Sequence, residues 1–215
     1  ELKRLREVKK FGPLLDRSAV QIALAKFQGR VVYVKSNNLN QLDVWDLENH
    51  NLLYSFEAAH QDKIYSMTVT SKQNLLLSGS ADSSIAVWDL EQKKIYYRFE
   101  NAHKDIITSI VTSSAKKLIA ASASLDRSIA FWDISGKEPT GRIESAHTTD
   151  IYALAMTTDG EFLVSSGDEI IAVWDISTKK IHQQLRDAHL SSIYCLIITP
   201  DNKYIASGSA DGTIK

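Results

Sequence analysis

The stretch SADSSIAVWDL at residues 80–90 joins a short turn to an alternating apolar run that ends in the dipeptide Trp88–Asp89. Every tryptophan of the chain is followed by aspartate, and the four are Trp45, Trp88, Trp132 and Trp174. They are separated by 43, 44 and 42 residues. The dipeptide Ala–His recurs at the same three spacings, at His60, His103, His147 and His189. Two independent markers that shift together indicate an internal repeat whose insertions and deletions lie in loops.

Each repeat also carries a serine and an aspartate ahead of its tryptophan. The aspartates stand six residues before the last three tryptophans, and they are Asp82, Asp126 and Asp168. The serines stand two residues before these aspartates, and they are Ser80, Ser124 and Ser166. The same pattern returns as His189, Ser209 and Asp211, and the sequence ends at Lys215, two residues before the expected tryptophan.

The local texture of each repeat is that of β-strands. Runs such as IYSMTVT and KIYYRFE are short, roughly alternating and rich in β-branched and aromatic residues. Turn clusters such as SKQN and ADSS separate them. About 43 residues per repeat therefore accommodate four antiparallel strands joined by hairpins. The predicted fold class is all-β.

These features resemble the WD40 repeat, densely over residues 59–215 and more loosely from residue 28. The resemblance implies a β-propeller built from four-stranded antiparallel blades. The chain departs from the family pattern by placing alanine where glycine usually precedes the histidine, at Ala59, Ala102, Ala146 and Ala188. The first unit has no matching histidine, and Leu39 stands where the aspartate is expected.

The resulting division begins with a basic lead-in over residues 1–18, whose sequence ELKRLREVKK favours a helix. A degenerate repeat follows over residues 19–58, and complete repeats are predicted over residues 59–101, 102–145 and 146–187. Residues 188–215 form a truncated repeat. Since such rings usually have seven blades, we expect further blades after residue 215. Without them, residues 1–215 should form an open ring whose exposed strand edges lead to self-association.

The resemblance implies that each tryptophan is held by a Trp–Ser–His–Asp tetrad, which provides a partner for the buried indole N–H. The implied tetrads are Trp88, Ser80, His60 and Asp82; Trp132, Ser124, His103 and Asp126; and Trp174, Ser166, His147 and Asp168. A fourth set, His189, Ser209 and Asp211, lacks only its tryptophan.

Serine, histidine and aspartate also form hydrolase triads, so catalysis is the alternative interpretation of these sets. An enzyme needs one activated serine in one accessible pocket, whereas this constellation recurs four times at equal spacing. The structural interpretation is therefore favoured, and no catalytic residue is predicted. Zinc ligands must converge on one small sphere, so histidines about 43 residues apart predict no metal site, and no cofactor is expected.

Composition restricts the classes of function and the cellular locations that fit this chain. The 25 basic and 26 acidic residues give a formal net charge of −1, which argues against direct nucleic-acid binding. No apolar run is long enough to span a membrane. The single cysteine, Cys195, lies in the apolar run SIYCLII and is expected to be an inert core thiol. An intracellular location, cytoplasmic or nuclear, is predicted.

The leading functional hypothesis is a non-catalytic scaffold that binds other proteins or peptides. The alternative is a peptide-motif recognition domain of a larger regulatory protein, such as a ubiquitin-ligase substrate receptor or a chromatin reader. In WD40 propellers, partner contacts on the top face tend to come from three positions per blade. Carried over, these are Lys63, Tyr65 and Ala81; Ile106, Thr108 and Leu125; Asp150, Tyr152 and Gly167; and Ser192, Tyr194 and Ala210. The competing interpretation is that the tyrosines simply pack along the channel wall.

Overall fold

Eighteen β-strands form the regular structure of the chain in the computed structural model, which describes residues 21–27, 30–70, 74–113, 118–167 and 169–215. The predicted lead-in at 1–18 lies outside these residues. Within the described ranges, no helix is long and apolar enough to cross a membrane. The all-β prediction is confirmed.

The strands form five antiparallel sheets in chain order, and each complete sheet has four consecutive strands. The first sheet contains β1 (Ile22–Phe27), β2 (Arg30–Ser36), β3 (Leu42–Asp46) and β4 (Leu52–Phe56). The second contains β5 (Ile64–Val69), β6 (Leu75–Ser80), β7 (Ile85–Asp89) and β8 (Lys94–Phe99). The third contains β9 (Ile107–Thr112), β10 (Ile119–Ser124), β11 (Ile129–Asp133) and β12 (Glu138–Ile143). The fourth contains β13 (Ile151–Met156), β14 (Phe162–Gly167), β15 (Ile170–Asp175) and β16 (Lys180–Leu185). The fifth contains β17 (Ile193–Ile198) and β18 (Ile205–Ser209).

The first strands of successive sheets pack against one another in the order β1, β5, β9, β13, β17. Hydrogen bonds join these inner strands: the Ile110 N–H donates to Ser66 Oγ at 2.8 Å in a buried contact, and the Leu154 N–H donates to Ser109 Oγ at 3.1 Å in a half-buried one. A Cβ added at Gly79 would lie 2.6 Å from Ile107 Cγ2, so glycine permits this close approach. The sheets are therefore stacked side by side like consecutive propeller blades.

Aromatic side chains fill the outer part of the first two complete junctions between sheets. Phe56 of β4 packs on Trp88 with ring centroids 4.8 Å apart, and Phe99 of β8 packs on Trp132 at 4.6 Å. Each pair joins the fourth strand of one sheet to the third strand of the next. The apolar core is accordingly divided into clusters that lie between sheets.

The first sheet has all four strands although its sequence lacks the histidine set. Its β2–β3 turn is held by Asn37, whose Oδ1 accepts hydrogen bonds from the Leu39 and Gln41 N–H groups at 2.9 and 3.1 Å. The Trp45 Nε1 is buried and has no hydrogen-bond partner within the described part of the chain, and Tyr33 stacks on its ring at 6.1 Å. Strand pairing is thus independent of the polar set.

The expectation of a core thiol at Cys195 is wrong, because this side chain is exposed. Ala153, at the matching position of β13, is buried against the next sheet. No described strand covers the corresponding face of β17. An alternating apolar run therefore identifies a strand without showing which of its faces is covered.

Phe99→Ala should lower the free energy of unfolding by about 3–5 kcal/mol, because it removes a buried ring from the junction with Trp132. Ile95→Ala in the same strand is the control, since Ile95 is 44% exposed and should lose far less. Chemical denaturation of both variants measures the difference. Equal losses would contradict the role given to the aromatic junction.

Candidate functional site

Four polar sets lie at one end of the sheets, where the second and third strands turn and the loops from preceding sheets arrive. In the second sheet, His60 Nε2 lies 2.8 Å from Ser78 Oγ, and Trp88 Nε1 donates to the same oxygen at 2.9 Å. His60 Nδ1 lies 3.0 Å from Asp82 Oδ2. The contacts run without interruption from indole to carboxylate, and we call this end of the sheets the top face.

The third sheet repeats the arrangement closely. His103 Nε2 lies 2.7 Å from Ser122 Oγ, which accepts the Trp132 N–H at 2.9 Å. His103 Nδ1 lies 3.1 Å from Asp126 Oδ2. Both the imidazole and the serine are buried.

The last two sets are seen in part. His147 Nε2 and Trp174 Nε1 both lie 2.7 Å from Ser165 Oγ, while the predicted member Asp168 lies outside the described residues. In the fifth sheet, His189 contacts Ser207 at 2.7 Å and Asp211 at 3.0 Å.

The serine of each set differs from the one that the sequence alignment selected. The structure places Ser78, Ser122, Ser165 and Ser207 between the rings, in place of Ser80, Ser124, Ser166 and Ser209. The register explains this correction: Trp88 pairs with Leu76, so Ser78 is its diagonal neighbour on the same face, and Ser80 is two residues farther along. Strand pairing was the signal that the spacing alone did not provide.

The serines predicted from the alignment have a separate role in the turns. Ser80 Oγ donates to the Asp62 carbonyl at 2.9 Å and accepts the Asp82 N–H at 3.1 Å. Ser124 Oγ accepts the Asp126 N–H at 3.0 Å. These hydroxyls fix the backbone at the start of the turn and do not reach the tryptophan.

The electrostatics favour neutral imidazole beside ionised carboxylate. Burial lowers the pKa of His103, against the opposing effect of Asp126. Burial alone would raise the pKa of the Asp126 carboxyl, but hydrogen bonds from His103, the Lys104 N–H and Ser128 hold that pKa well below its usual range. We therefore assign the single imidazole proton to Nδ1, which donates to Asp126, and leave Nε2 to accept from Ser122.

Two arginines complete the second and third sets and were missed by sequence reasoning. Arg142 Nη1 donates to Ser128 Oγ at 2.7 Å, and Nη2 donates to the Ala102 carbonyl. Arg98 makes the same contacts with Ser84 Oγ at 3.0 Å and the Ala59 carbonyl at 2.6 Å. The two arginines occupy the same position of the fourth strand: Arg142 pairs with Ala130, and Arg98 pairs with Ala86. This repeated position is the signal that the sequence offers for them.

The backbone of each histidine loop reaches toward the preceding sheet. The His103 N–H donates to the Ser83 carbonyl at 3.3 Å, and the His60 N–H donates to the Asn40 carbonyl at 3.3 Å. The histidine side chains meanwhile bind their own sheets. Each loop therefore connects two neighbouring sheets at the top face.

The aspartate of each Trp–Asp pair acts at the opposite end, which we call the bottom face. Asp89 Oδ1 accepts the Glu91 and Gln92 N–H groups at 2.9 and 2.7 Å, and Asp175 Oδ1 accepts the Thr178 N–H at 2.8 Å. These bonds close the turn between the third and fourth strands. In each Trp–Asp pair, the tryptophan ring thus packs between two sheets and the aspartate closes the following turn.

The positions predicted to bind partners lie at the top face, and backbone hydrogen bonds bring many of them together. The Ala81 N–H donates to the Lys63 carbonyl, the Leu125 N–H to the Ile106 carbonyl, and the Ala210 N–H to the Ser192 carbonyl, at 2.8, 3.0 and 2.9 Å. Thr108 is half-buried, and its Oγ1 donates to the Ala123 carbonyl at 3.2 Å.

The three predicted tyrosines are not equivalent. Tyr152 and Tyr194 contact each other edge to face, with ring centroids 5.0 Å apart, and Tyr194 is 58% exposed. Tyr65 is 36% exposed and belongs to the second sheet. A cavity of about 320 Å³ adjoins Tyr152 and Asp150. Its remaining lining residues are Arg127, Thr148 and Thr149.

The serines of the second and third polar sets are closed to solvent. The Ser78 and Ser122 side chains are fully buried between a tryptophan and a histidine, so a substrate has no access to their hydroxyls. Across the described residues, no group of three or more His, Cys, Asp or Glu side chains is placed to hold a metal ion.

The comparison with protein families agrees with this geometry. A family model described as WD domain, G-beta repeat matches residues 50–89, 93–133, 138–175 and 180–215, which together form most of the chain. Each matched segment contains the fourth strand of one sheet and the strands that follow it in the next. No curated protein matches the chain. The family match confirms the resemblance drawn from the sequence.

Ser122→Ala should lower the free energy of unfolding by about 1–3 kcal/mol, because it leaves Trp132 Nε1 and His103 Nε2 buried without their shared partner. Ser124→Ala is the matched control, and it should lose less because the Ser124 hydroxyl accepts the Asp126 N–H within one turn and does not contact the tryptophan. Urea denaturation of the two variants gives the order. A larger loss for Ser124→Ala would restore the tetrad drawn from the alignment.

Acidification should destabilise the protein through His103. Since its folded-state pKa lies below the ordinary value of about 6.5, the unfolded chain takes up a proton that the folded chain resists. The stabilisation is therefore complete above about pH 6.5 and decreases as pH falls toward the folded-state pKa. Thermal melts between about pH 7 and pH 5.5 should show a smaller decrease for His103→Gln than for wild type. Identical pH dependence in both proteins would contradict this assignment.

Proposed function

Because the chain belongs to the WD domain, G-beta repeat family, we propose that it is a non-catalytic scaffold that holds partner proteins in an assembly through its top face. WD40 repeats generally mediate binding to other proteins, which supports this general role. We further propose that its sheets are blades of a propeller with about seven blades, in an intracellular protein. The side-by-side packing of the inner strands supports a propeller.

The observation that carries the proposal is the contrast between buried and exposed groups at the top face. The polar groups of the histidine sets bind one another and hold the loops in place. His103, for example, contacts Ser122, Asp126 and the preceding sheet. Tyrosine side chains stand exposed beside these fixed loops. A preorganised surface with aromatic anchors lowers the entropy lost on association.

The Tyr152–Tyr194 pair is the part of this surface that best fits an interface centre. Tyrosine offers a large apolar face and a hydroxyl group that can bind a partner, and it is enriched at binding hot spots. The adjoining cavity is lined by polar side chains, Thr148, Thr149 and Asp150 among them, that offer hydrogen-bonding groups beside the tyrosine pair.

The full burial of the serines supports a role without catalysis. A triad mechanism requires a serine that can attack a substrate, with a base beside it. Here Trp132 and His103 occupy both sides of Ser122. The alternative of a peptide-motif reader uses the same surface and stays a prediction.

The test is a Tyr65→Ala/Tyr152→Ala/Tyr194→Ala variant of the protein, compared with a control that replaces Tyr96 and Tyr204. The control tyrosines are 37% and 69% exposed and lie away from the top-face positions. Affinity purification with quantitative mass spectrometry should show loss of the wild-type partner set in the triple variant alone, with both melting temperatures close to wild type. Full retention of partners by the triple variant would exclude the top face.

A further inference from the structure

One position in the fourth strand differs between otherwise similar junctions. It is defined by cross-strand pairing: Tyr54 lies opposite Val44, Tyr97 opposite Val87, and Gly141 opposite Phe131. The first and second sheets therefore present a tyrosine toward the next sheet, and the third sheet presents no side chain there.

The two tyrosines show what this position accommodates. The Tyr54 hydroxyl donates to the Leu90 carbonyl of the next sheet at 2.7 Å, and Lys93 Nζ lies 5.0 Å from the ring centroid. Lys137 Nζ lies 4.2 Å from the Tyr96 centroid and 5.8 Å from the Tyr97 centroid. In both junctions, the lysine that ends the bottom-face turn of the following sheet therefore lies over a tyrosine ring of the fourth strand.

At the third junction a cleft of about 530 Å³ opens at the bottom face next to this position, and Thr140, Glu161 and Asp175 are among its polar lining residues. Phe131, Phe162 and Ile119 are among its apolar walls, and Lys179 and Ile176 of the fourth sheet also line it. Ile176 follows Asp175 as Leu90 follows Asp89, so its carbonyl corresponds to the acceptor used by Tyr54. The volume lies within the range of about 300–1,000 Å³ found for ligand sites.

Lys179 is the counterpart of Lys93 and Lys137, and all three have a positive φ of 55–57° at the end of their turns. With no tyrosine beneath it, Lys179 extends across Gly141, where an added Cβ would lie 2.3 Å from its Cε. Its Nζ lies 5.7 Å from the centroid of Phe131. Phe131 replaces the valine of the other sheets and fills part of the space left by the glycine.

We propose that this cleft binds an aromatic side chain, tyrosine above all, contributed by a partner protein. The ring would lie between Phe131 and Phe162 with the Lys179 ammonium over its face, and its hydroxyl would reach the Ile176 carbonyl. The proposal rests on the proposed function, because it names the chemistry by which one partner is held. It concerns the bottom face, so it can fail while the top-face site stands.

Charge complementarity selects an aromatic ring over an aliphatic group of equal size. The face of an aromatic ring carries negative potential, which attracts an ammonium group within about 6 Å. Lys93 already shows this contact with Tyr54, and Lys137 shows it with Tyr96 and, at longer range, with Tyr97. An aliphatic side chain would fill the cleft without engaging Lys179.

The test uses p-cresol, the side chain of tyrosine, as the probe, and 4-methylcyclohexanol as a control of similar size. In NMR titrations of the protein, p-cresol should shift the amides of Gly141, Ser177 and Lys179 with a dissociation constant on the order of 1 mM, and the control should bind more weakly. Equal shifts from both probes, or shifts confined to other regions, would overturn the proposal.

Two variants locate the site. Lys179→Ala keeps the cleft and removes the ammonium, so p-cresol should bind roughly two- to five-fold more weakly. Gly141→Tyr introduces the tyrosine of the other junctions and should abolish binding. Because Gly141 has a φ of 151°, the fold of that variant is checked by its NMR spectrum, and Lys179→Ala decides if it does not fold. Unchanged p-cresol affinity in Lys179→Ala would overturn the proposed contact.

Discussion

The loop that carries each histidine is the constraint on which the rest of the structure depends. Its backbone binds the turn of the preceding sheet, as from the His103 N–H to the Ser83 carbonyl. Its side chain binds the serine and aspartate of its own sheet and, through the serine, the tryptophan. One loop therefore sets the spacing between two sheets and the position of the ring that fills their junction. A sheet cannot shift without breaking buried hydrogen bonds.

This constraint divides the molecule into two faces with different freedom. At the top face, buried polar sets fix the loops, so variation is confined to exposed side chains such as Tyr194. At the bottom face, turns are closed locally by aspartates such as Asp89, and neighbouring sheets meet through side-chain packing and single side-chain hydrogen bonds such as that from Tyr54 to the Leu90 carbonyl. Junctions there can differ in volume while the fold persists. The change from tyrosine to Gly141 is such a difference, and a cleft lies beside it at the third junction.

The sequence by itself determined the repeat, the strand class and, in the second and third sheets, the histidine, aspartate and tryptophan of the polar set. Tryptophan, histidine and aspartate occupy fixed positions in each sheet, so nearly the same number of residues separates them in every repeat. This spacing can be read from the sequence alone. His60, Asp82 and Trp88 could be assigned in this way, and the structure brings them together. The alternating apolar runs likewise reported strands, because side chains on a strand point to opposite faces.

The tertiary structure decided which groups meet across strands and sheets. Ser78 and Ser80 have similar spacing to Trp88, and only the pairing of Leu76 with Trp88 shows which hydroxyl is within reach. Arg98 reaches the set from the fourth strand, a contact that depends on the register and length of two hairpins. The cleft beside Gly141 depends on which side chains neighbouring sheets direct into one junction. Linear spacing records distances along the chain, whereas burial and contact depend on register and on how neighbouring sheets pack.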